Sequence, residues 1–135
     1  MRGAGNSCFS DGYAMKGVGI DAVDVARFRT VLERSPNIKK RLFTDAELSA
    51  LAARNDATAS LAARFAVREA TMKALGVGLG AFDFHDVWVE NLPSGAPTLR
   101  VTGRAQEIAQ SQGVSQWHVS ISHTNTVAMA VVAAL

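Results

Sequence analysis

Residues 64–75, RFAVREATMKAL, constrain this chain more than any other stretch. Placing residues about 100° apart predicts a helix with Leu61, Phe65, Arg68, Met72 and Leu75 on one side. Ala62, Ala63, Ala66, Ala70 and Ala74 cover most of the other, leaving only a narrow flank of Val67 and Thr71. A helix apolar nearly all round belongs in the middle of a domain, so the remaining elements must wrap it. It nevertheless carries Arg64, Arg68, Glu69 and Lys73, and such groups are rarely buried without partners. The fold has to give these charges partners or open a cleft against them.

The chain has 135 residues, 48% of them hydrophobic and 19% charged, one domain's worth with enough apolar material for a core. Residues 1–14, rich in Gly and Ser, read as a flexible N-terminal arm, native or left by cloning, ahead of a single domain over 15–135. GVGIDAV alternates with a strand period and has Asp21 in its middle. Asp24 then caps a helix, DVARFRTVLER, with Val25, Phe28 and Leu32 inward and Arg27 and Arg34 together on another side. SPNIKKRLF is a basic connector or short helix, and TDAEL is a capping box that opens a helix running to about Arg54. The central helix starts near Thr58 or Ser60 and stops at Gly76.

After the glycine-rich GVGLGAF come two strands, DVWVEN and PTLRVT, joined through LPSGA as a hairpin. GRAQEIAQSQG is a short helix with Ala105 and Ile108 inward and Gly113 as its stop. WHVSIS alternates as a strand, HTNT turns, and VAMAVVAAL returns as a buried strand. The predicted class is α+β: a mainly antiparallel sheet packed with a long central helix and shorter helices.

The net charge of +2 and pI of about 9.0 suit an anionic ligand or an acidic protein partner, but are too small for a nucleic-acid binder. The single cysteine, Cys8, excludes an internal disulfide. No apolar run is long enough to cross a membrane, and the N-terminus lacks the apolar core of a secretory signal. The expected compartment is the cytoplasm.

Asp21 sits in an otherwise apolar strand and Glu69 on the flank of the buried helix. If strand and helix pack together, the two carboxylates converge, and like charges that close call for a cation. Hard oxygens with room for water and phosphate suit Mg²⁺. The alternative pairs Glu69 with Lys73, one turn later, and leaves Asp21 to backbone donors. Arg64, Arg68 and Lys73 beside a glycine-rich loop favour an anion site, the arginines gripping phosphate through their forks and the lysine as a point charge. GVGLG either lets backbone approach a phosphate or merely stops the helix. GVGIDA imitates a dinucleotide fingerprint, but its glycines begin a strand instead of following one, which excludes that reading. Ser122 and His123 are sequence neighbours without a G-x-S-x-G elbow, which argues against a Ser-His hydrolase. His123 with Thr124 at a strand end reads as a ligand contact, whereas His85 and His118 lack partners at metal-ligand spacing and read as structural.

GVGIDAVDVARF, RFAVREATMKALGVGLG and VSISHT, in that order, resemble the holo-acyl-carrier-protein synthases, small single-domain phosphopantetheinyl transferases, over Met15 to Leu135. The resemblance implies transfer of 4'-phosphopantetheine from coenzyme A to a serine of apo acyl carrier protein, releasing adenosine 3',5'-bisphosphate, in support of fatty-acid synthesis. It implies Mg²⁺ on Asp21 and Glu69, catalytic roles for Glu69 and Lys73, and Arg64 and Lys73 against the nucleotide phosphates. Gly76, His123 and Thr124 would line the cofactor groove and Arg27 would meet the acidic carrier protein. It also implies a homotrimer with sites between subunits. Two positions depart from the pattern: the family often has lysine where Arg68 stands and serine where Met72 stands. Competing readings are a non-catalytic module that binds a nucleotide or an acidic protein, and another Mg²⁺-dependent phosphate-transfer enzyme.

Overall fold

The computed structural model describes residues 14–135. Cys8 and, apart from Ala14, the N-terminal arm lie outside the described residues. The element order is β1 (Gly17–Asp24), α1 (Val25–Arg34), α2 (Ile38–Leu42), α3 (Asp45–Leu51), α4 (Thr58–Leu75), a short 3₁₀ turn (Phe84–Asp86), β2 (Val87–Asn91), β3 (Pro97–Val101), α5 (Gly103–Ser111), β4 (Trp117–His123) and β5 (Val127–Ala134). An antiparallel sheet ordered β1-β5-β4 packs one face on α4, and β2 and β3 form a separate antiparallel hairpin. The mixed α+β architecture expected from the sequence is the one observed.

β1 lies directly on the backbone of α4 because its inward positions include two glycines. A Cβ at Gly19 would collide with the Ala70 carbonyl oxygen and stand 2.8 Å from the carbonyl carbon; one at Gly17 would collide with the Ala74 carbonyl. The G-x-G pattern thus serves strand-on-helix contact, with Ala70 and Ala74 as the small residues opposite. Across the sheet, Ala128, Ala130, Val132 and Ala134 of β5 face α4 and are buried. Their neighbours Met129 and Val131 point outward at 40% and 38% exposure, beside Val18 and Ile20 of β1 at 57% and 54%. The expectation that β5 is buried throughout fails for this reason: in the isolated chain the helix covers only one face of the sheet.

Around α4 the core divides in two. Its C-terminal half packs on β2, β3, α5 and β5, and its N-terminal half on Val25 and Phe28 of α1, Leu42 and Phe43 near α2, and Leu51 of α3. The caps follow the sequence. Asp24 accepts from Arg27 N, Thr44 and Glu47 complete the capping box of α3, and Gly76 ends α4 at φ 67° while Val77 N bonds the Met72 carbonyl. Arg68 is wholly buried, and its guanidinium bonds both carboxylate oxygens of the buried Glu47, at 2.9 and 2.5 Å, over the Phe43 ring.

Replacing Gly19 by Ala should push β1 off α4 and lower unfolding stability by about 2 kcal/mol or more, because the new methyl meets backbone that cannot move aside cheaply. Urea denaturation of Gly19→Ala checks this; a midpoint equal to the parent's would show that the strand does not sit on the helix backbone.

Candidate active site

The glycine-mediated approach of β1 to α4 determines what stands beside Asp21. Asp21 occupies an inward position of β1, two residues beyond Gly19, and its side chain retains 18% exposure. Lys73, on the adjacent flank of α4, reaches across to it: Nζ donates to Asp21 Oδ1 at 3.2 Å and to the Ile20 carbonyl at 2.9 Å. The ammonium therefore engages the strand carboxylate, while Glu69, one helical turn earlier, stands partly buried beside them. Burial pushes the Glu69 carboxyl above its ordinary range, the charge of Asp21 pushes it further, and Lys73 opposes both.

Asp21 and Glu69 line one groove of about 1080 Å³, walled by Phe28, Val31, Leu42, Phe65 and Phe84, with the exposed Arg27 and Arg41 also lining it. An acidic pair thus opens onto a mostly apolar channel. The donor set fits a divalent cation, because a positive ion relieves the repulsion that raises Glu69. Among the described residues no third carboxylate, histidine or cysteine joins the pair, so further ligands would be substrate oxygens or water.

Arg64 stands elsewhere. Its Nη1 donates to the Ser60 carbonyl at 3.4 Å, and the Ser60 hydroxyl in turn accepts from Arg54 at 2.8 Å. Burial presses the Arg64 pKa down, and the charges of Arg54 and Arg68 add to this against Glu47. Glu47 is already held by both Nη atoms of Arg68, and Arg64 Nε is buried without a hydrogen-bond partner. Within one chain Arg64 faces the α3 side and does not line the groove of Asp21 and Glu69.

The remaining sequence candidates do not converge in a single chain. Gly76 follows Leu75 at the end of α4 that packs on Gly17. His123 is exposed and pairs with Ala128, which in turn pairs with Val23 at the other end of β1. These ends lie about 20 Å apart along the strand. Thr124 shapes the β4–β5 turn, its hydroxyl accepting from Thr126 N and Val127 N at 3.2 and 3.1 Å. Arg27 projects from α1 at the groove. His118 is exposed on the outer sheet face.

Two features escaped the sequence reading. His85 lines the groove, with Nε2 at 2.6 Å from the Lys40 carbonyl and its backbone N–H on Asp83; an isolated histidine in a loop carries no spacing that marks it. Glu47 reads as a helix cap, which it is, but its second duty to Arg68 depends on a contact 21 residues away.

Known proteins resemble this chain in sequence and in fold. A family model described as the 4'-phosphopantetheinyl transferase superfamily matches residues 17–132. The holo-acyl-carrier-protein synthase of Streptomyces avermitilis is 50% identical over 119 residues, 87% of this chain and 95% of that protein. Among solved structures, the holo-acyl-carrier-protein synthase of Neisseria meningitidis aligns with a TM-score of 0.82 at 27% identity over 90% of this chain and 99% of the other. The Helicobacter pylori synthase in complex with coenzyme A aligns with a TM-score of 0.76 at 29% identity over 87% and 99%. With its acidic pair on β1 and α4 inside the matched span, this chain belongs to the 4'-phosphopantetheinyl transferase superfamily.

Proposed function

We propose that this chain is a holo-acyl-carrier-protein synthase. It transfers 4'-phosphopantetheine from coenzyme A to a serine of apo acyl carrier protein and releases adenosine 3',5'-bisphosphate, in support of fatty-acid synthesis. The observation that carries this reading is the acidic pair Asp21 and Glu69, with Lys73 beside it, opening onto an apolar groove in a chain half identical to a synthase.

The serine oxygen forms a bond to the phosphorus that bears pantetheine. The bond from that phosphorus to the bridging oxygen breaks, and the bisphosphate leaves with the bridging oxygen and its electron pair. The serine proton passes to Glu69, directly or through a water, since that carboxylate stands at the groove beside Asp21. Asp21 and Glu69 would hold Mg²⁺, which when bound would supply positive charge against the pyrophosphate. Lys73, on a flexible stem beside Asp21, balances negative charge on the departing bisphosphate. The buried, unpartnered Nε of Arg64 supports a role for that side chain against a nucleotide phosphate, and Gly76, His123 and Thr124 complete the cofactor groove. The apolar channel beside the carboxylates accommodates the pantetheine arm.

The carrier protein docks at Arg27, with Arg34 and the basic run Lys39, Lys40 and Arg41 extending the positive surface. The active form is a homotrimer with sites between subunits. Two observations support it: the apolar outer face of the β1-β5-β4 sheet, and the separation of His123 and Thr124 from Gly76 within one chain, which a second copy can bridge. The transferase domain spans residues 15–135 and acts in the cytoplasm. No helix among the described residues is long and apolar enough to cross a membrane.

Incubation with coenzyme A, Mg²⁺ and apo carrier protein should add the mass of phosphopantetheine to the carrier, read by intact mass spectrometry. Bisphosphate or carrier binding without any mass gain would favour a non-catalytic module instead.

Glu69→Gln should reduce transfer by about a hundredfold or more yet melt no lower than the parent in metal-free buffer, because it removes a desolvated charge beside Asp21. The thermal gain should shrink as pH falls through the raised Glu69 pKa, where the parent carboxyl is itself neutral. Near-parental turnover would remove Glu69 from the chemistry.

Arg27→Glu should raise KM for the carrier about tenfold or more and leave KM for coenzyme A unchanged, while the parent's carrier KM rises with added salt. An unaffected carrier KM would place docking on another surface. Ile20→Asp, on the outer sheet face, should convert trimers to monomers in sedimentation velocity and abolish transfer; a parent that already sediments as a monomer would contradict the intersubunit site.

A further inference from the structure

The buried face of α4 holds a contact that the transfer reaction leaves unused. Both Nη atoms of Arg68 donate to Glu47 and Nη1 also to the Arg64 carbonyl at 3.4 Å, while Nε donates to the Phe84 carbonyl at 2.7 Å. Phe84 opens the 3₁₀ turn and lines the groove. Its ring lies 6.0 Å from that of Phe65, which lies 5.4 Å from that of Phe28, so one aromatic row makes a wall of the channel. Arg68 and Glu69 are consecutive: one side chain anchors in the core while the next stands at the acidic end of the same channel.

We infer that Arg68 is a positioning residue which, through the Phe84 carbonyl, sets the spacing between the Glu69 carboxylate and the aromatic wall that receives the pantetheine arm. This rests on the proposed transfer of phosphopantetheine. Other bonds hold the same segment from outside: Thr102 donates to the Asp86 carbonyl at 2.8 Å, and the His85 ring meets the Lys40 carbonyl. Neither comes from α4, so neither relates the wall to Glu69. Only a planar, forked cation can meet a bidentate carboxylate on one edge and a carbonyl on another. A lysine here would keep the charge facing Glu47 and give up the carbonyl tether.

The test compares variants for KM with coenzyme A, inhibition by adenosine 3',5'-bisphosphate, which lacks the arm, and melting temperature. The parent's transfer is measured first, and absence of transfer there would speak against the proposed function and not against the tether. Arg68→Lys should raise KM for coenzyme A about tenfold, the loss of one hydrogen bond from a charged donor, with the bisphosphate inhibition constant unchanged and faster amide exchange over residues 82–86. Phe84→Ala, which keeps the carbonyl and the core pair but removes the ring, should show the same selective rise, and if Arg68→Lys does not fold a parental KM there still overturns the assignment. Glu47→Gln weakens the core pair but keeps the Nε bond, so it should lower the melting temperature without changing KM. A parental KM in Phe84→Ala, equal weakening of coenzyme A and bisphosphate in Arg68→Lys, or a KM rise in Glu47→Gln matching that of Arg68→Lys would each overturn the assignment.

Discussion

The seating of β1 on the bare backbone of α4 governs everything built near it. A strand normally stands off a helix by the thickness of two side-chain layers. Here Gly17 and Gly19 remove one layer and Ala70 and Ala74 thin the other. The consequence reaches two residues further along the strand. Asp21 comes within ion-pair distance of Lys73, and its charge adds to the burial that raises the Glu69 carboxyl. The chemistry of the site therefore begins with the absence of two methyl groups.

The charges on α4 divide according to what desolvation allows. Arg68 goes fully into the core and is tolerable there because Glu47 meets it bidentately and the Phe84 and Arg64 carbonyls accept from Nε and Nη1. Such a pair adds little net stability, but loss of one partner strands the other and costs about 3–5 kcal/mol. Glu69 receives the opposite treatment: partial burial, a like charge beside it and only a screened lysine in compensation. The structure spends stability on one carboxylate and shields the other, and the unshielded one faces the groove. Arg64 falls between these cases, with one orphaned donor and its nearest carboxylate already engaged.

Much of this was legible in the sequence because the informative signals are local. The caps at Asp24 and Thr44, the stop at Gly76 and the apolar circumference of α4 each depend on residues within a turn or two. Pairing of Asp21 with Glu69 followed once the strand was assumed to lie on the helix. Three things were not legible. The partner of Arg68 lies 21 residues back and looks like a finished capping box. Lys73 has two carboxylates within reach, and helical spacing favours Glu69, whereas the tertiary approach of β1 hands it to Asp21. The outward-facing half of β5 is as apolar as its inward half, so periodicity offers no hint that one side is bare.

That bare side is a physical problem before it is a functional one. Val18, Ile20, Met129 and Val131 form a contiguous apolar surface on an antiparallel sheet, a face that water solvates poorly and that a soluble chain commonly covers with another molecule. The row beside it changes character: His118, Ser120 and Ser122 of β4 are polar and exposed. A cover confined to the β1 and β5 rows would bury the apolar strip and leave the β4 row at the rim, near the turn that carries His123 and Thr124.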